Sequence, residues 1–201
     1  SAGAPTVNGL IASGAGSACV YVAGSGSVTL TNCLLNNNAS YGIYFVPSST
    51  GRALSVSNCT LNANGNYGIR SAGSAGTVSV SNSIITNHAS VGAYRNDSSS
   101  FAVNYSNVWG NTTNLLGVTT TSNNLSTNPL YVSTSNLRLT SNSPSRFRSM
   151  GGGDQGALPF TTDLTPGLYG TLWTNTTLSL AGSPYTVGGD LTVPTGVTLS
   201  I

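Results

Sequence analysis

The sequence contains no lysine and no glutamate, and charged side chains make up 5% of its 201 residues. Soluble domains usually carry about 25% charged residues. The cations are all arginines and the anions all aspartates, which gives a formal net charge of +2. So few charges form no basic stripe of the kind that binds nucleic acid. Solubility must therefore come from amide and hydroxyl groups, which favours an extracellular or cell-surface protein.

The sequence also has too few carboxylates for the enzymatic cleavage of polysaccharides. Enzymes that cleave polysaccharides need clustered carboxylates, as an acid/base pair or as calcium ligands. The four carboxylates here, Asp97, Asp154, Asp163 and Asp190, are scattered along the chain. The sequence therefore predicts no catalytic residue and no enzyme. The single histidine, His88, follows a strand at a repeat position where Asn64 stands one repeat earlier, and it is interpreted as a solvated turn residue.

Cysteines are few and unsuited to a metal site. Cys19, Cys33 and Cys59 cannot all pair within one chain, and their spacing fits no zinc motif. The sequence predicts no metal and no cofactor. Cys33 and Cys59 occupy the same repeat position, so we expect them to stack inside adjacent coils as free thiols, with Cys19 elsewhere, level with Ile43.

Hydrophobic runs are short. No run approaches the ~20 apolar residues of a membrane span. The N-terminus has no basic segment followed by an apolar one, so any signal peptide is expected to have been removed already.

A short motif returns about every 24 residues, which is the signature of a solenoid whose units bury their apolar faces by stacking. Its three clearest copies occupy residues 28–36, 54–62 and 78–86. Each copy alternates apolar and hydroxyl side chains, as a strand with one buried face does, and then reaches an asparagine. Asparagine tolerates the left-handed backbone of a tight corner. We expect two columns in the stack. The first is a turn column of Asn32, Asn58 and Asn82, and the second is an interior column of Leu35, Leu61 and Ile85.

Two exposed surfaces of this solenoid are candidates for binding. The outward hydroxyls form a flat array of the kind that binds ice, although most of its rungs are serine. They are Thr29, Thr31, Ser55, Ser57, Ser79 and Ser81. Aromatic side chains such as Tyr44 and Tyr94 can instead stack on sugars. Both surfaces are also compatible with a merely solvated face.

The repeat pattern of the sequence ends at about residue 123, and a different pattern follows. Asn128-Pro-Leu-Tyr-Val132, Leu137-Arg-Leu139, Ser143-Pro144 and Asp154-Gln-Gly-Ala157 resemble the closing segment of secreted bacterial right-handed parallel β-helix proteins of the choice-of-anchor, Pro-Leu-Phe-Val type. The chain departs from that pattern at residues 145–148, Ser-Arg-Phe-Arg. The last forty residues resemble the opening coil of such a β-helix. The resemblance implies an all-β, right-handed parallel β-helix, with residues 1–158 closing one solenoid and residues 159–201 linking to and opening another.

The expected function follows from the repeats and the missing carboxylates. The sequence predicts a non-enzymatic structural or adhesive module at the cell surface or outside the cell, within a longer repeating protein or filament that associates head to tail. A carbohydrate-active β-helix enzyme, with its carboxylates outside this segment, and an ice- or glycan-binding solenoid are the alternatives.

Overall fold

The structure is a computed structural model that describes residues 4–201. The chain coils into a β-solenoid of about 8 turns of roughly 23 residues, which confirms the predicted all-β solenoid. Three parallel sheets, each receiving one strand per coil, form its walls. The strands are numbered β1 to β20 along the chain.

The first sheet contains β1 (Thr6–Asn8), β4 (Val28–Thr31), β7 (Ala53–Ser57), β10 (Thr77–Ser81), β13 (Ser100–Asn104) and β16 (Thr120–Ser122). The second contains β2 (Ile11–Ser13), β5 (Leu34–Asn36), β8 (Thr60–Asn62), β11 (Ile84–Thr86) and β14 (Asn107–Trp109). The third contains β3 (Ala18–Gly24), β6 (Tyr41–Pro47), β9 (Tyr67–Ser71), β12 (Val91–Arg95) and β15 (Thr113–Leu116).

Two columns of residues with left-handed backbone form the corners on either side of the second sheet. The corner between the first and second sheets is made by Gly9, Asn32, Asn58, Asn82, Tyr105 and Asn123. The corner between the second and third sheets is made by Gly14, Asn37, Ala63, Asn87 and Gly110. Asparagine and glycine dominate both columns because they adopt positive φ at little cost.

The turn asparagines of the repeat lie at equivalent points of successive coils. Asn32, Asn58 and Asn82 have φ of 53°, 49° and 51°. Their side chains do not bond to one another anywhere in the described chain. Asn32 donates from Nδ2 to Oδ1 of Asn8 at 2.9 Å, and Asn82 accepts the backbone N–H of Met150 at 2.8 Å. What the three share is therefore a backbone conformation.

The interior is filled by apolar side chains in columns. Leu35, Leu61 and Ile85 pair in register through the second sheet, and each is 0% exposed. Aliphatic residues of the first sheet, such as Leu30 and Val80, fill the adjoining space. Stacking like residues on like keeps each coil at the same width, so the register of one coil fixes that of the next.

A column of thiols and hydroxyls lines the inside of the first corner. From Cys59 onward each side chain accepts the backbone N–H of the column residue one coil earlier, with sequence offsets of 26, 24, 23 and 18 residues. The column runs through Cys33, Cys59, Ser83, Ser106 and Asn124. It satisfies amide groups that the corner would otherwise leave buried and unpaired.

All three cysteines of the described chain are free thiols. Burial raises the pKa of Cys59 to about 12, so that its thiol stays protonated and unreactive. The expected position of Cys19 is wrong by one residue, because Val20 pairs with Ile43 and Cys19 lies beside Gly42. The register is the same on both sides of that glycine, so the error lies in the alignment of the repeats by sequence and not in a shift of the strand.

Residues 126–158, the closing segment, fold back across the outer face of the second sheet. The backbone N–H of Ala157 donates to Oγ1 of Thr60 at 3.0 Å, and Nδ2 of Asn107 donates to Oγ of Ser145 at 2.9 Å. The Tyr131 and Thr86 hydroxyls lie 3.2 Å apart. Thr60 and Thr86 are buried although they face away from the interior, because this segment covers them.

The remaining residues form a small second stack beside the closing segment. β17 (Gly170–Thr171) pairs with β19 (Leu191–Thr192), and β18 (Thr176–Thr177) pairs with β20 (Leu199–Ser200), both in parallel. A 3-10 turn at Leu180–Gly182 is the helical element of residues 4–201, which contain no helix long and apolar enough to cross a membrane. The stack is joined to the closing segment by Nε1 of Trp173, which donates to the Ser143 carbonyl at 2.9 Å.

Candidate binding surfaces

The third sheet is shaped by a glycine at the same point of successive strands. A Cβ on Gly68 would lie 2.5 Å from the Gly92 carbonyl oxygen and 2.6 Å from Nε2 of His88. Gly42 and Gly92 are equally enclosed, by Asn64 and Asn111 respectively. The tyrosine-glycine pairs at residues 41–42 and 67–68 therefore have a packing cause: a buried polar side chain occupies the space that a Cβ would need.

Those buried side chains form a ladder at the second corner. Asn38 donates from Nδ2 to Oδ1 of Asn64 at 2.8 Å, and the Asn64 N–H donates to Nδ1 of His88 at 3.1 Å. The His88 N–H in turn donates to Oδ1 of Asn111 at 2.9 Å. The ladder fixes the distance between the second and third sheets and so positions the outer face of the third.

His88 occupies the Asn64-like position that the sequence indicated, but the expected solvated turn is wrong. Its side chain is 2% exposed. The ring replaces an asparagine in the ladder, and Nε2 has no hydrogen-bond partner among the described residues. Burial lowers the pKa of His88 to about 4, against the opposing effect of the Asn64 and Leu61 carbonyls. The ring is therefore neutral at physiological pH and is poorly suited to exchange protons with a substrate.

A row of tyrosines covers the outer face of the third sheet around one arginine. We call it the Tyr–Arg face; it comprises Tyr21, Tyr41, Tyr44, Tyr67, Arg70 and Tyr94. Tyr21, Tyr44, Arg70 and Tyr94 occupy paired positions in successive strands, and Tyr41 pairs with Tyr67 in a second row. Gly42 and Ile43 are both buried, so the alternation of the strand is interrupted there and Tyr41 and Tyr44 lie on the same face.

The rings of the Tyr–Arg face are stacked on one another. The centroids of Tyr41 and Tyr44 lie 4.6 Å apart with an interplanar angle of 11°, and those of Tyr41 and Tyr67 lie 5.4 Å apart at 12°. Tyr67 and Tyr94 continue the stack at 5.7 Å. At the opposite end Tyr21 is 61% exposed and leans against Tyr44. The result is an extended surface of stacked aromatic rings.

Arg70 supplies the charge of this surface. Its guanidinium carbon lies 5.5 Å from the ring centroids of Tyr44 and Tyr67, and Nη1 donates to the Tyr41 hydroxyl at 3.2 Å. Its Nε is buried and has no hydrogen-bond partner within residues 4–201. Cation–π contact stabilises the cation there without neutralising it. The face is therefore aromatic and positively charged.

The hydroxyl array lies on the outer face of the first sheet. Thr29 pairs with Ser55 and Ser55 with Ser79, while Thr31, Ser57 and Ser81 form the parallel row. The next strand places Ala102 and Asn104 in these rows. The array is therefore in register but chemically uneven, and it ends after a few coils.

Two of the aspartates that the sequence left without a role, Asp97 and Asp154, shape loops. Asp97 accepts the Ser71 hydroxyl at 2.7 Å and the Ser99 N–H at 2.9 Å. Asp154 accepts the N–H groups of Phe147 and Phe160 at 3.2 and 2.9 Å. Within the described chain no three His, Cys, Asp or Glu side chains lie close enough together to hold a metal ion.

Sequence reasoning found Tyr44 and Tyr94 but missed Tyr21, Tyr41, Tyr67 and Arg70. The signal was present in the repeats, since the Tyr-Gly-Ile sequence at residues 41–43 recurs at residues 67–69, with Tyr44 and Arg70 following at the same distance. In a strand with strict alternation, residues three positions apart point to opposite faces. Tyr41 and Tyr44 point to the same face because the alternation is interrupted at Gly42.

Comparison with known families identifies the coil type. The family model described as "Right handed beta helix region" matches residues 6–146, more than half of the chain. The match covers every coil of the three sheets and most of the closing segment. It agrees with the right-handed parallel β-helix expected from the sequence. Searches of curated proteins and of solved structures found no match.

Proposed function

The chain belongs to the right-handed β-helix family, and we propose that it is a non-enzymatic adhesive module that binds glycans outside the cell. The Tyr–Arg face is the observation that supports this proposal most directly. Aromatic rings stack against the apolar faces of sugar rings. A stacked, partly exposed row of tyrosines offers several such positions along the solenoid axis, as an extended glycan chain requires.

The charge of the face indicates the kind of glycan. Arg70 is surrounded by rings, and no carboxylate faces it across the stack in the contacts of the described residues. Guanidinium groups bind carboxylates and sulfates in a planar, two-point geometry. The face is thus suited to glycans that carry uronate or sulfate groups.

A scaffold role rather than catalysis is supported by the use of the aspartates. The Asp97 and Asp154 carboxylates each receive two hydrogen bonds that shape a loop. The extracellular location is supported by the low charge and by the resemblance of the closing segment to secreted β-helix proteins.

We further propose that such modules associate along the solenoid axis in a surface assembly or filament. Ile11 in the first coil and Leu180 and Val187 in the second stack are 69%, 92% and 70% exposed. Apolar side chains exposed in this way mark contact surfaces, and low charge weakens the repulsion between modules. Sedimentation over a range of concentrations tests this, and a monodisperse monomer throughout contradicts it.

Glycan binding is tested on immobilised acidic and neutral polysaccharides. Arg70→Gln should abolish the preference for acidic chains, and Tyr44→Ala should weaken binding of all of them. Arg138→Gln, which removes the same charge from the closing segment, is the matched control and should bind as the unaltered protein does. Unchanged binding by both face variants contradicts the proposal.

The enzymatic alternative predicts chain cleavage that disappears in Asp97→Asn or Asp154→Asn.

A further inference from the structure

A concave surface that shares no residue with the Tyr–Arg face lies where the closing segment meets the second stack. Two adjoining cavities of about 640 and 410 Å³ share Asn128, Leu130 and Tyr169 in their walls. We call them together the junction groove. The larger runs along the second corner past Asn37 and Asn87, and the smaller reaches Asp190 in the second stack.

Tyr169 is held as a fixed platform between the two cavities. One edge of its ring lies against Gly188, where an added Cβ would be 2.6 Å from Cδ1 and 2.7 Å from Cε1 of the ring. Its carbonyl accepts Nδ2 of Asn142 at 3.1 Å, which ties the residue to the closing segment. The ring is partly exposed toward the groove. Its orientation is thus set by backbone contact before any ligand arrives.

The polar groups around the platform are an unengaged carboxylate and several amides. The Asp190 carboxylate has no hydrogen bond to the described residues, whereas its backbone carbonyl accepts the Gly170 N–H. Asn128 uses Oδ1 to accept the Leu130 N–H at 3.0 Å, which leaves its NH₂ group available. The groove therefore offers a strong acceptor and amide donors beside an aromatic ring, and its one charged side chain is negative.

We propose that the junction groove binds a neutral oligosaccharide. A sugar ring presents an apolar face to an aromatic ring and hydroxyl groups around its edge. A carboxylate accepts hydrogen bonds from adjacent hydroxyls, and amides donate and accept in turn. The Asp190 charge repels uronate and sulfate groups, so the groove selects against the acidic glycans that suit the Tyr–Arg face. The proposal for the junction groove does not depend on glycan binding at the Tyr–Arg face.

Two glycine variants test the role of the platform without removing any lining group. In Gly188→Ala the added Cβ must displace the Tyr169 ring, whereas in Gly189→Ala it would lie 3.7 Å from Tyr169 Cβ, an ordinary contact distance. Neither glycine has a positive φ, so alanine fits both backbones. Gly188→Ala should weaken binding roughly tenfold, the size of one lost aromatic contact, and Gly189→Ala should leave it unchanged.

Calorimetric titration with tetraoses of glucose, mannose and galactose measures the affinity, with tetragalacturonate as the acidic probe. Asp190→Asn keeps the shape of the side chain, and it should weaken binding of the neutral tetraoses and relax discrimination against tetragalacturonate. The proposal is overturned if no neutral tetraose binds at millimolar concentration, or if Gly188→Ala and Asp190→Asn bind as the unaltered protein does. Arg70→Gln must not change this binding, so failure here is separable from failure at the Tyr–Arg face.

Discussion

At the scale of single residues, His88 makes the stability of the solenoid depend on pH. Its pKa is about 4 in the folded chain, against 6.5 for an ordinary histidine. Between these values the unfolded chain binds a proton that the folded chain does not, so stability falls as pH decreases through this window. Above pH 6.5 both states are neutral and the effect is absent. The loss reaches about 3 kcal/mol at its largest.

His88→Asn restores the residue type that the ladder has in the coils on either side. Urea unfolding at pH 4.5 and pH 7 should show a smaller loss of stability in this variant than in the unaltered protein. His88→Leu is the control: it removes both the titration and the acceptor for the Asn64 N–H. It should cost about 1–3 kcal/mol at either pH. A histidine variant with the same pH dependence as the parent would contradict the assigned burial effect.

Gly68 is the second residue whose role is open to a direct test. Gly68→Ala places a Cβ within 2.7 Å of the Gly92 carbonyl oxygen, His88 and Ile85, of which the first is backbone and cannot move aside. We expect a loss of about 1–3 kcal/mol, as for other overpacked interiors. Gly16→Ala is the control, because nothing lies within 4 Å of its Cβ position. Equal unfolding midpoints for the two variants would show that the strand shifts freely at this glycine.

At the scale of the elements, the closing segment seals the second sheet through a few hydrogen bonds. Thr60→Val keeps the size of the side chain but removes the acceptor for the Ala157 N–H. The amide of Ala157 should then exchange with solvent faster, by a factor of roughly ten for each 1.4 kcal/mol lost. Thr29→Val, on the open first sheet, is the control and should leave that amide unchanged. Undiminished protection of Ala157 in Thr60→Val would mean that other contacts hold the segment.

The strands of the coils were predictable from the sequence because their information is local. Alternation in each copy places Leu54 and Val56 inside, and Asn58 ends the strand with the backbone it prefers. The path of the closing segment was not predictable. It depends on contacts such as Ala157 with Thr60, which are 97 residues apart. The burial of Leu34, Thr60 and Ile84 on the outer face of the second sheet became visible only in the structure.

The same distinction applies to the candidate surfaces. Tyr44 and Tyr94 were predicted from the sequence as surface aromatics that can stack on sugars. Arg70 was missed because its place among the rings depends on register between coils. The junction groove was not foreseen at all, since Tyr169 and Asn128 come together only when the second stack folds against the closing segment.

At the scale of the whole molecule, stability is expected to be uneven along the chain. In the coils of the three sheets, Leu61, Val80 and other core residues are completely buried, and their strands pair with coils on both sides. In the second stack each strand has two residues, and most side chains beyond Trp173 are exposed. Segments with few buried contacts open at lower free energy than the core. Amides of β19 and β20 should therefore exchange long before those of β8 and β10.

Trp173 connects the second stack to the closing segment, so a substitution there should change the stability of the second stack alone. Its Nε1 bonds to the Ser143 carbonyl, and its ring meets Phe147 edge-on at 5.3 Å. Trp173→Phe removes the hydrogen bond and keeps an aromatic ring. Exchange should accelerate in β17 to β20 by several-fold, the effect of about 1 kcal/mol, while β8 and β10 keep their rates. Tyr185→Phe, which removes a hydroxyl bonded only within residues 179–185, is the control for a change confined to the second stack. If Trp173→Phe accelerates exchange in β8 and β10 equally, the two stacks unfold as one cooperative unit and the unevenness argued from burial is wrong.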